Sequence, residues 1–156
     1  MSKMNLIVRA LIIRSDYILL LRPTPSNGEF SVQHSFLPGG HVEAGEPAAV
    51  CLKRELREEL GIDFSIGESV GALECAWKRK GTLYHELNLV FLVSGESLSL
   101  DQAPPSMENH IQFYWHRLSA LGEANLLPRT LVQAIPGWLG QPKDREFLFS
   151  EMSFHQ

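Results

Sequence analysis

The chain has 156 residues, 44% of them hydrophobic, and a formal net charge of −4. This length suffices for one substantial hydrophobic core and is too short for two ordinary domains, so we predict a single domain over residues 1–156. The negative charge offers no basic surface for long nucleic acid. A protein of this charge that handles phosphates would need a cation to mediate the contact.

The apolar N-terminal stretch is interrupted by Arg9, Arg14 and Asp16. A membrane-spanning helix needs about 20 apolar residues in succession, and a secretory signal needs a continuous apolar region before a small-residue cleavage site. The sequence matches neither pattern, which predicts no membrane interaction and a cytoplasmic location. Cys51 and Cys75 lack the spacing of a zinc site or a disulfide framework, so we expect free, buried thiols.

Two strands are predicted at the start of the chain. Residues 6–13 and 17–22 are rich in leucine and β-branched side chains, and the turn residues Ser15 and Asp16 separate them. The following residues, 23–35, include two prolines and an Asn-Gly step, which indicates a loop. Loops in such positions often carry functional residues.

A helix is predicted from Pro47 to Leu60, because proline suits a first helical position and Gly61 suits a helix terminus. Apolar side chains recur along it at three- and four-residue spacing and form one stripe facing the core. These side chains are Ala49, Leu52, Leu56 and Leu60.

The middle of the chain predicts a hairpin. Residues 68–78 and 83–94 have strand character, and residues 79–82 form the turn between them. A polar loop over 95–109 leads to a further strand at 110–116. In that strand one face carries Ile111, Phe113 and Trp115.

The C-terminal part predicts a second helix that begins near Pro128 and is disturbed at Pro136 and Gly137. Strands and two helices in this order favour an α/β fold with a mixed sheet. The oligomeric state stays open, and a homodimer through the apolar segment 126–139 is one option. For the final residues, 145–156, a docking tail or a last strand is expected.

Three carboxylates lie close together on the first predicted helix. Glu55, Glu58 and Glu59 are spaced so that they project from one face within a turn. Such charges repel one another and require compensation. Salt bridges are one interpretation, since Arg54 precedes Glu58 by four residues. A divalent cation is the other, because Mg²⁺ prefers oxygen ligands and keeps water or phosphate oxygens in its remaining positions.

The wider pattern decides between these interpretations. Residues 40–62 read GHVEAGEPAAVCLKRELREELGI, which resembles the signature of the Nudix hydrolase family at every fixed position. Seven fixed residues would coincide by chance on the order of once in 10⁸ windows. The resemblance implies an α/β/α sandwich in which this box forms a loop, a helix and a loop.

The resemblance also implies roles for individual residues. Glu46 and Arg54 would brace the loop against the helix. The implied activity is hydrolysis of a diphosphate linkage in a small nucleotide-like substrate, with Mg²⁺, or Mn²⁺ in its place, neutralising the phosphates and activating water. The metal ligands would be the backbone carbonyl of Gly40 and the carboxylates of Glu55, Glu58 and Glu59.

The general base is left open, because members of the family place this carboxylate differently. The candidates are Glu58 in the box, Glu86 in a predicted strand and Glu108 in the loop after it. Glu86 either lines the site or lies on the solvated side of the sheet. Glu108 either faces solvent or is a mobile catalytic residue, since loops often carry function.

Other side chains are candidates for substrate contacts. Arg22 follows the second strand and could contact a phosphate, whereas residues 78–80 are expected to be a solvated hairpin tip. Trp77, Tyr84 and Phe113 could stack on a base, although aromatic side chains in strands are mostly part of the core.

The substrate is not identified by the sequence. Some Nudix subfamilies carry a diagnostic proline or tyrosine beyond the box, where this chain has residues 77–80. We expect a nucleoside diphosphate derivative such as ADP-ribose or a nucleotide sugar, with nucleoside triphosphates or dinucleoside polyphosphates as alternatives. A non-catalytic nucleotide sensor is the rival class, and the presence of all the box glutamates disfavours it.

Overall fold

The computed structural model describes residues 1–25 and 33–152, so residues 26–32 of the predicted loop and 153–156 of the predicted tail lie outside the described residues. The described structure includes two short 3₁₀ helices, Leu118–Glu123 and Pro142–Asp144. In chain order the main elements are β1 (Ser2–Arg14), β2 (Tyr17–Pro23), β3 (Gly39–His41), α1 (Ala48–Leu60), β4 (Ile66–Arg79), β5 (Thr82–Ser94), β6 (Ile111–Arg117), α2 (Leu131–Trp138) and β7 (Leu148–Ser150).

The strands form one mixed sheet in the order β6-β2-β1-β5-β4-β7, and β3 pairs with β1 beside this path. The predicted pairing of β1 with β2 is confirmed but covers only their turn end, where Ile13 faces Ile18. Strand β1 instead runs parallel to β5 from the pair Ser2–Leu83 to the pair Ile13–Ser94. This long parallel pairing places β1 at the centre of the molecule.

The alternation of side chains along β1 explains why each face of the sheet carries a helix. Val8, Ala10 and Ile12 pack in one buried cluster with α1, whereas Leu11 packs on the opposite face with α2. We call these the α1 face and the α2 face. The predicted α/β/α sandwich is therefore confirmed. The helical side chains buried in it are Cys51, Leu52, Leu56 and Leu60 of α1, and Leu131, Ala134, Ile135 and Trp138 of α2.

Helix α1 begins one residue later than predicted, since Pro47 is its cap, and it ends as predicted at Gly61, whose φ is 69°. The predicted apolar stripe is correct for its leucines but wrong for Ala49, which is exposed. Cys51 is buried in its place, and its thiol donates a hydrogen bond to the carbonyl of His41 at 3.3 Å. This contact ties the first turns of α1 to β3.

The predicted hairpin of β4 and β5 is confirmed, and positive φ angles at Lys80 and Gly81 form its tip. The predicted disturbance of the last helix is wrong, because α2 includes Pro136 and Gly137 and ends at Trp138. Burial of the apolar side of α2 outweighs the one backbone hydrogen bond that proline forgoes.

The C-terminal segment has two outcomes. The apolar side chains of α2 face the core, so the segment 126–139 that we considered as a dimer surface contributes most of its apolar residues to the sandwich. Strand β7 pairs in parallel with β4, which confirms the expectation of a last strand. Among the described residues, no helix is long and apolar enough to cross a membrane.

The contact between β4 and α2 yields a prediction. A Cβ atom at Gly71 would lie 2.0 Å from Nε1 of Trp138, whose side chain is fully buried. We therefore expect Gly71→Ala to lower the free energy of unfolding by about 1–3 kcal/mol in chemical denaturation. Gly122→Ala is the control, because no atom of the described residues lies within 4 Å of its added carbon. Equal stability of the two variants would contradict this packing.

Candidate active site

Strand β3, which precedes α1, is held unusually close to β1 and to the helix. A Cβ atom at Gly39, whose φ is 153°, would lie 1.8 Å from the carbonyl oxygen of Val8. At Gly40 it would lie 2.3 Å from Cδ of Glu55. Only glycine permits this approach. The carboxylate of Glu55 therefore packs directly on the backbone of β3.

A bidentate ion pair joins the loop between β3 and α1 to the helix. Arg54 donates from Nε to Oε2 of Glu46 at 2.8 Å and from Nη2 to Oε1 at 3.0 Å. The guanidinium lowers the pKa of Glu46 to about 2. Its Nη1 also donates to Glu55 at 3.1 Å and to Glu58 at 3.2 Å. One arginine thus compensates three carboxylates, and the Arg54–Glu58 salt bridge considered from the sequence is present.

The three helix carboxylates differ in their exposure. The side chain of Glu58 is 52% exposed, that of Glu55 is 17% exposed, and Glu59 is buried. Burial, together with the charges of Glu55 and Glu108, raises the pKa of Glu59 to about 8. Within residues 1–25 and 33–152, Oε2 of Glu59 has no hydrogen-bond partner. A buried carboxylate oxygen without a donor is suited to a cation.

The described residues do not bring three or more His, Cys, Asp or Glu side chains together around one point that could hold a metal ion. The physical reason lies in Arg54, which engages both Glu55 and Glu58. The donor set still fits a hard cation, since it combines carboxylate oxygens, the unpaired Oε2 of Glu59 and the backbone of Gly40 beside Glu55.

Glu108 is brought to the carboxylates of α1. The loop before β6 docks on the helix through a hydrogen bond from the N–H of Met107 to the carbonyl of Glu59, at 2.8 Å. Ser106 and Glu108 exchange hydrogen bonds of 2.8 and 3.0 Å, which order the loop. The side chain of Glu108 is partly exposed, and its charge adds to the effect of burial, which raises the pKa of both Glu55 and Glu59.

A cavity of about 490 Å³ opens on the α2 face of the sheet. Arg9 and Glu86 line it, so Glu86 faces the cavity and not the solvated side of the sheet. The other lining residues are Ile7, Phe36, His41, Cys75, Ala76, Trp77, Leu127, Pro128 and Glu151.

Arg9 joins this cavity to the carboxylates of the helix. It was not among the site residues predicted from the sequence. It donates to the carbonyl of Leu37 at 2.9 Å and to Oδ1 of Asn88 at 3.3 Å. Burial lowers its pKa, and the charges of Glu59 and Glu86 oppose that shift. The signal in the sequence was an arginine in the middle of the apolar strand LIVRALII.

The remaining candidates have mixed outcomes. Phe113 is buried, as expected, whereas the prediction of a core position is wrong for Trp77, which is 40% exposed. Trp77 stacks on Tyr84 with ring centroids 4.3 Å apart. Residues 78–80 form an exposed tip as predicted. Arg22 lies over the ring of Tyr114 at 4.6 Å and lines a second cavity of about 360 Å³.

Glu59 generates a prediction about pH. Its pKa is about 8 in the fold, against 4.5 for an ordinary glutamate side chain. Between these values the folded state holds a proton that the unfolded state has released, so the metal-free protein should become less stable as pH rises through this window. The loss should be on the order of 4 kcal/mol, and Glu59→Gln should remove it. Denaturant unfolding in chelator measures both profiles, and parallel profiles would contradict the expectation.

The chain is similar to known proteins. The sequence model of one protein family, described as the NUDIX domain, matches residues 4–136. A putative 8-oxo-dGTP diphosphatase 2 of Mycobacterium tuberculosis is 30% identical over 144 residues, which cover 86% of this chain and 85% of that protein. The CTP pyrophosphohydrolase of Escherichia coli is 42% identical over 65 residues, which cover 42% of this chain and 47% of that protein.

A solved structure extends the similarity to the fold. The solution structure of the E. coli ORF135 protein superposes with a TM-score of 0.61 at 27% identity, covering 86% of this chain and 90% of that one. The matched family model covers most of the chain, including the residues of the box and both glycines of β3. The chain therefore belongs to the Nudix family of pyrophosphohydrolases.

Proposed function

We propose that this Nudix enzyme hydrolyses a diphosphate linkage of a nucleoside triphosphate and depends on Mg²⁺. The observation that carries the proposal is the position of Arg9, with the carboxylates of α1 on one side of it and the cavity on the other. A nucleotide whose base occupies the cavity would extend its phosphates past Arg9 towards these carboxylates. The names of the two relatives, a diphosphatase and a pyrophosphohydrolase of nucleoside triphosphates, support this substrate class.

ADP-ribose and nucleotide sugars, which we preferred from the sequence, stay a prediction. Their second sugar would lie beyond the helix carboxylates, on the side away from the cavity. No contact among the described residues favours them over triphosphates. They belong in the same substrate panel, together with dinucleoside polyphosphates.

For the metal we propose the carboxylates of Glu55, Glu58 and Glu59 and the carbonyl of Gly40 as ligands. The unpaired Oε2 of Glu59 supports this set, because a carboxylate oxygen buried without a donor is costly unless a cation binds it. Mg²⁺, when bound, would neutralise phosphate charge and make the attacking water more acidic.

The proposed role of Arg54 and Glu46 is to position the site. Their bidentate pair fixes the loop to the helix and so holds Gly40 beside Glu55. Arg54 compensates Glu55 and Glu58 while no cation is present. A cation that takes over these carboxylates would leave Arg54 paired with Glu46.

For the general base we propose Glu108 among the three candidates. Its charge acts on both Glu55 and Glu59, and its loop is fastened to the helix at Met107. Glu58 is assigned to the metal, and Glu86 lies on the cavity side of Arg9. A carboxylate beside the metal ligands can accept the proton of the attacking water without moving the helix.

Activity on a panel tests the function. We expect purified protein to cleave one or more nucleoside triphosphates in Mg²⁺ and not in chelator, with Glu58→Gln slower by a factor of about 10² or more. Chromatography of the products identifies the bond that is cleaved. Mg²⁺ should also raise the melting temperature of the wild type and not of Glu59→Gln. A folded wild type that cleaves no member of the panel would contradict the proposal.

The base assignment has its own test. Glu108→Gln should lower kcat by about 10²–10⁴ and remove the acidic limb of the pH–rate profile, because an amide cannot accept the proton. Glu96→Gln is a matched control from the same loop, and we expect it to keep the kcat of the wild type. If Glu108→Gln keeps its kcat, or if added Mg²⁺ restores it, Glu108 is not the base.

A further inference from the structure

The C-terminal strand contributes to the substrate cavity, although it follows the part of the chain that matches the family model, residues 4–136. Strand β7 lies parallel to β4, with Leu73 opposite Phe149 and Glu74 opposite Ser150. The ring of Phe149 packs edge-on against Trp138 of α2, at 5.7 Å between centroids. A strand attached on both sides in this way can hold the next residue in a fixed place.

That next residue is Glu151, and two hydrogen bonds fix it. Its N–H donates to the carbonyl of Glu74 at 3.0 Å, which continues the pairing with β4. Its Oε1 accepts a hydrogen bond from the N–H of Thr130 at 2.6 Å. The side chain lines the cavity. Thr130 uses only Oε1, so the second carboxylate oxygen, Oε2, does not take part in that hydrogen bond.

The register of the sheet aligns this carboxylate with a second one. Cys75 is the cross-strand partner of Glu86 on β5, and Glu151 follows the residue that pairs with Glu74 on the other side of β4. The three side chains thus form a row across the α2 face, and all three line the cavity. Burial raises the pKa of the Cys75 thiol to about 11, and the charges of Glu86 and Glu151 contribute to this shift, which agrees with their proximity.

The charge of the cavity wall therefore changes along its length. Arg9 pairs with Val90 on β5, four positions along that strand from Glu86, so the row of Glu86, Cys75 and Glu151 begins further along the strands, and the charges of Glu59 and Glu86 both act on Arg9. A guanidinium suits phosphate oxygens, whereas ionised carboxylates only accept hydrogen bonds. A nucleotide fits this wall with its phosphates at Arg9 and with the N–H donors of its base at the carboxylates.

We propose that Glu86 and Glu151 select the base of the substrate and favour guanine, whose ring N–H and amino group are adjacent donors. Glu86, and the oxygen of Glu151 that Thr130 does not use, offer carboxylate oxygens that can accept these two donors. Uracil and thymine present a single N–H between two carbonyl oxygens, which the carboxylates would repel. The inference rests on the proposed nucleotide hydrolysis and adds which base the site takes.

A structural role for Glu151 is the competing explanation, because its bond to Thr130 also caps the start of α2. The two explanations predict different results. A capping role alone affects stability and treats all nucleotides equally. Selection of the base changes the ratio of two substrates, whatever happens to stability.

The test compares GTP with UTP in the wild type, Glu86→Gln and Glu151→Gln. We expect each substitution to lower the ratio of kcat/KM for GTP to that for UTP about tenfold or more, since an amide can donate to the uracil carbonyls. Glu146→Gln is the matched control, because this exposed glutamate lies on the same segment outside the cavity. It should keep the wild-type ratio.

Calorimetric binding of GMP and UMP to the same proteins separates the two proposals. The wild type should bind GMP more tightly, and both variants should lose that preference. If the wild type hydrolyses triphosphates but the ratios are unchanged in both variants, base selection is overturned and the proposed function stands. If the wild type hydrolyses no triphosphate, the proposed function is contradicted. Equal binding of GMP and UMP to the wild type would then overturn base selection as well.

Discussion

The close packing of β3 between β1 and α1 is the constraint on which the site depends. Gly39 and Gly40 leave no room for a side chain, so the helix can lie on the strand with Glu55 against the backbone. The same closeness buries Glu59 and leaves one of its oxygens without a donor among residues 1–25 and 33–152. The apolar side of α1 thus fixes the helix on the sheet, and the glycines determine how near its carboxylates come.

Such packing concentrates negative charge, and two arginines compensate it from different sides. Arg54 holds Glu46 in a bidentate pair and reaches Glu55 and Glu58 at the exposed end of the cluster. Arg9 acts on the buried end through Glu59. Arg54 pairs with three carboxylates, and the oxygen at the buried end that has no partner among the described residues is the one that we propose as a cation ligand.

Local patterns in the sequence predicted most of this architecture. Helix α1, the hairpin of β4 and β5 and the leucines that face the sheet follow from spacing and from turn residues, which act over short distances. The parallel pairing of β1 with β5 brings Arg9 within reach of Asn88, 79 positions away, and no local pattern encodes such a contact. For the same reason the cavity, and the place of Glu86 in it, became visible only in the fold.

The contribution of Glu151 shows how an edge of the sheet can alter specificity without disturbing the chemistry. The carboxylates of α1 are tied to the central strands, where a change in one contact affects Glu55 and Glu59 together. Strand β7 is attached at the edge, to β4 and to Trp138, and Glu151, which follows it, lines the cavity. A substitution there can change which base is bound while the helix, the glycines and Arg54 keep their positions.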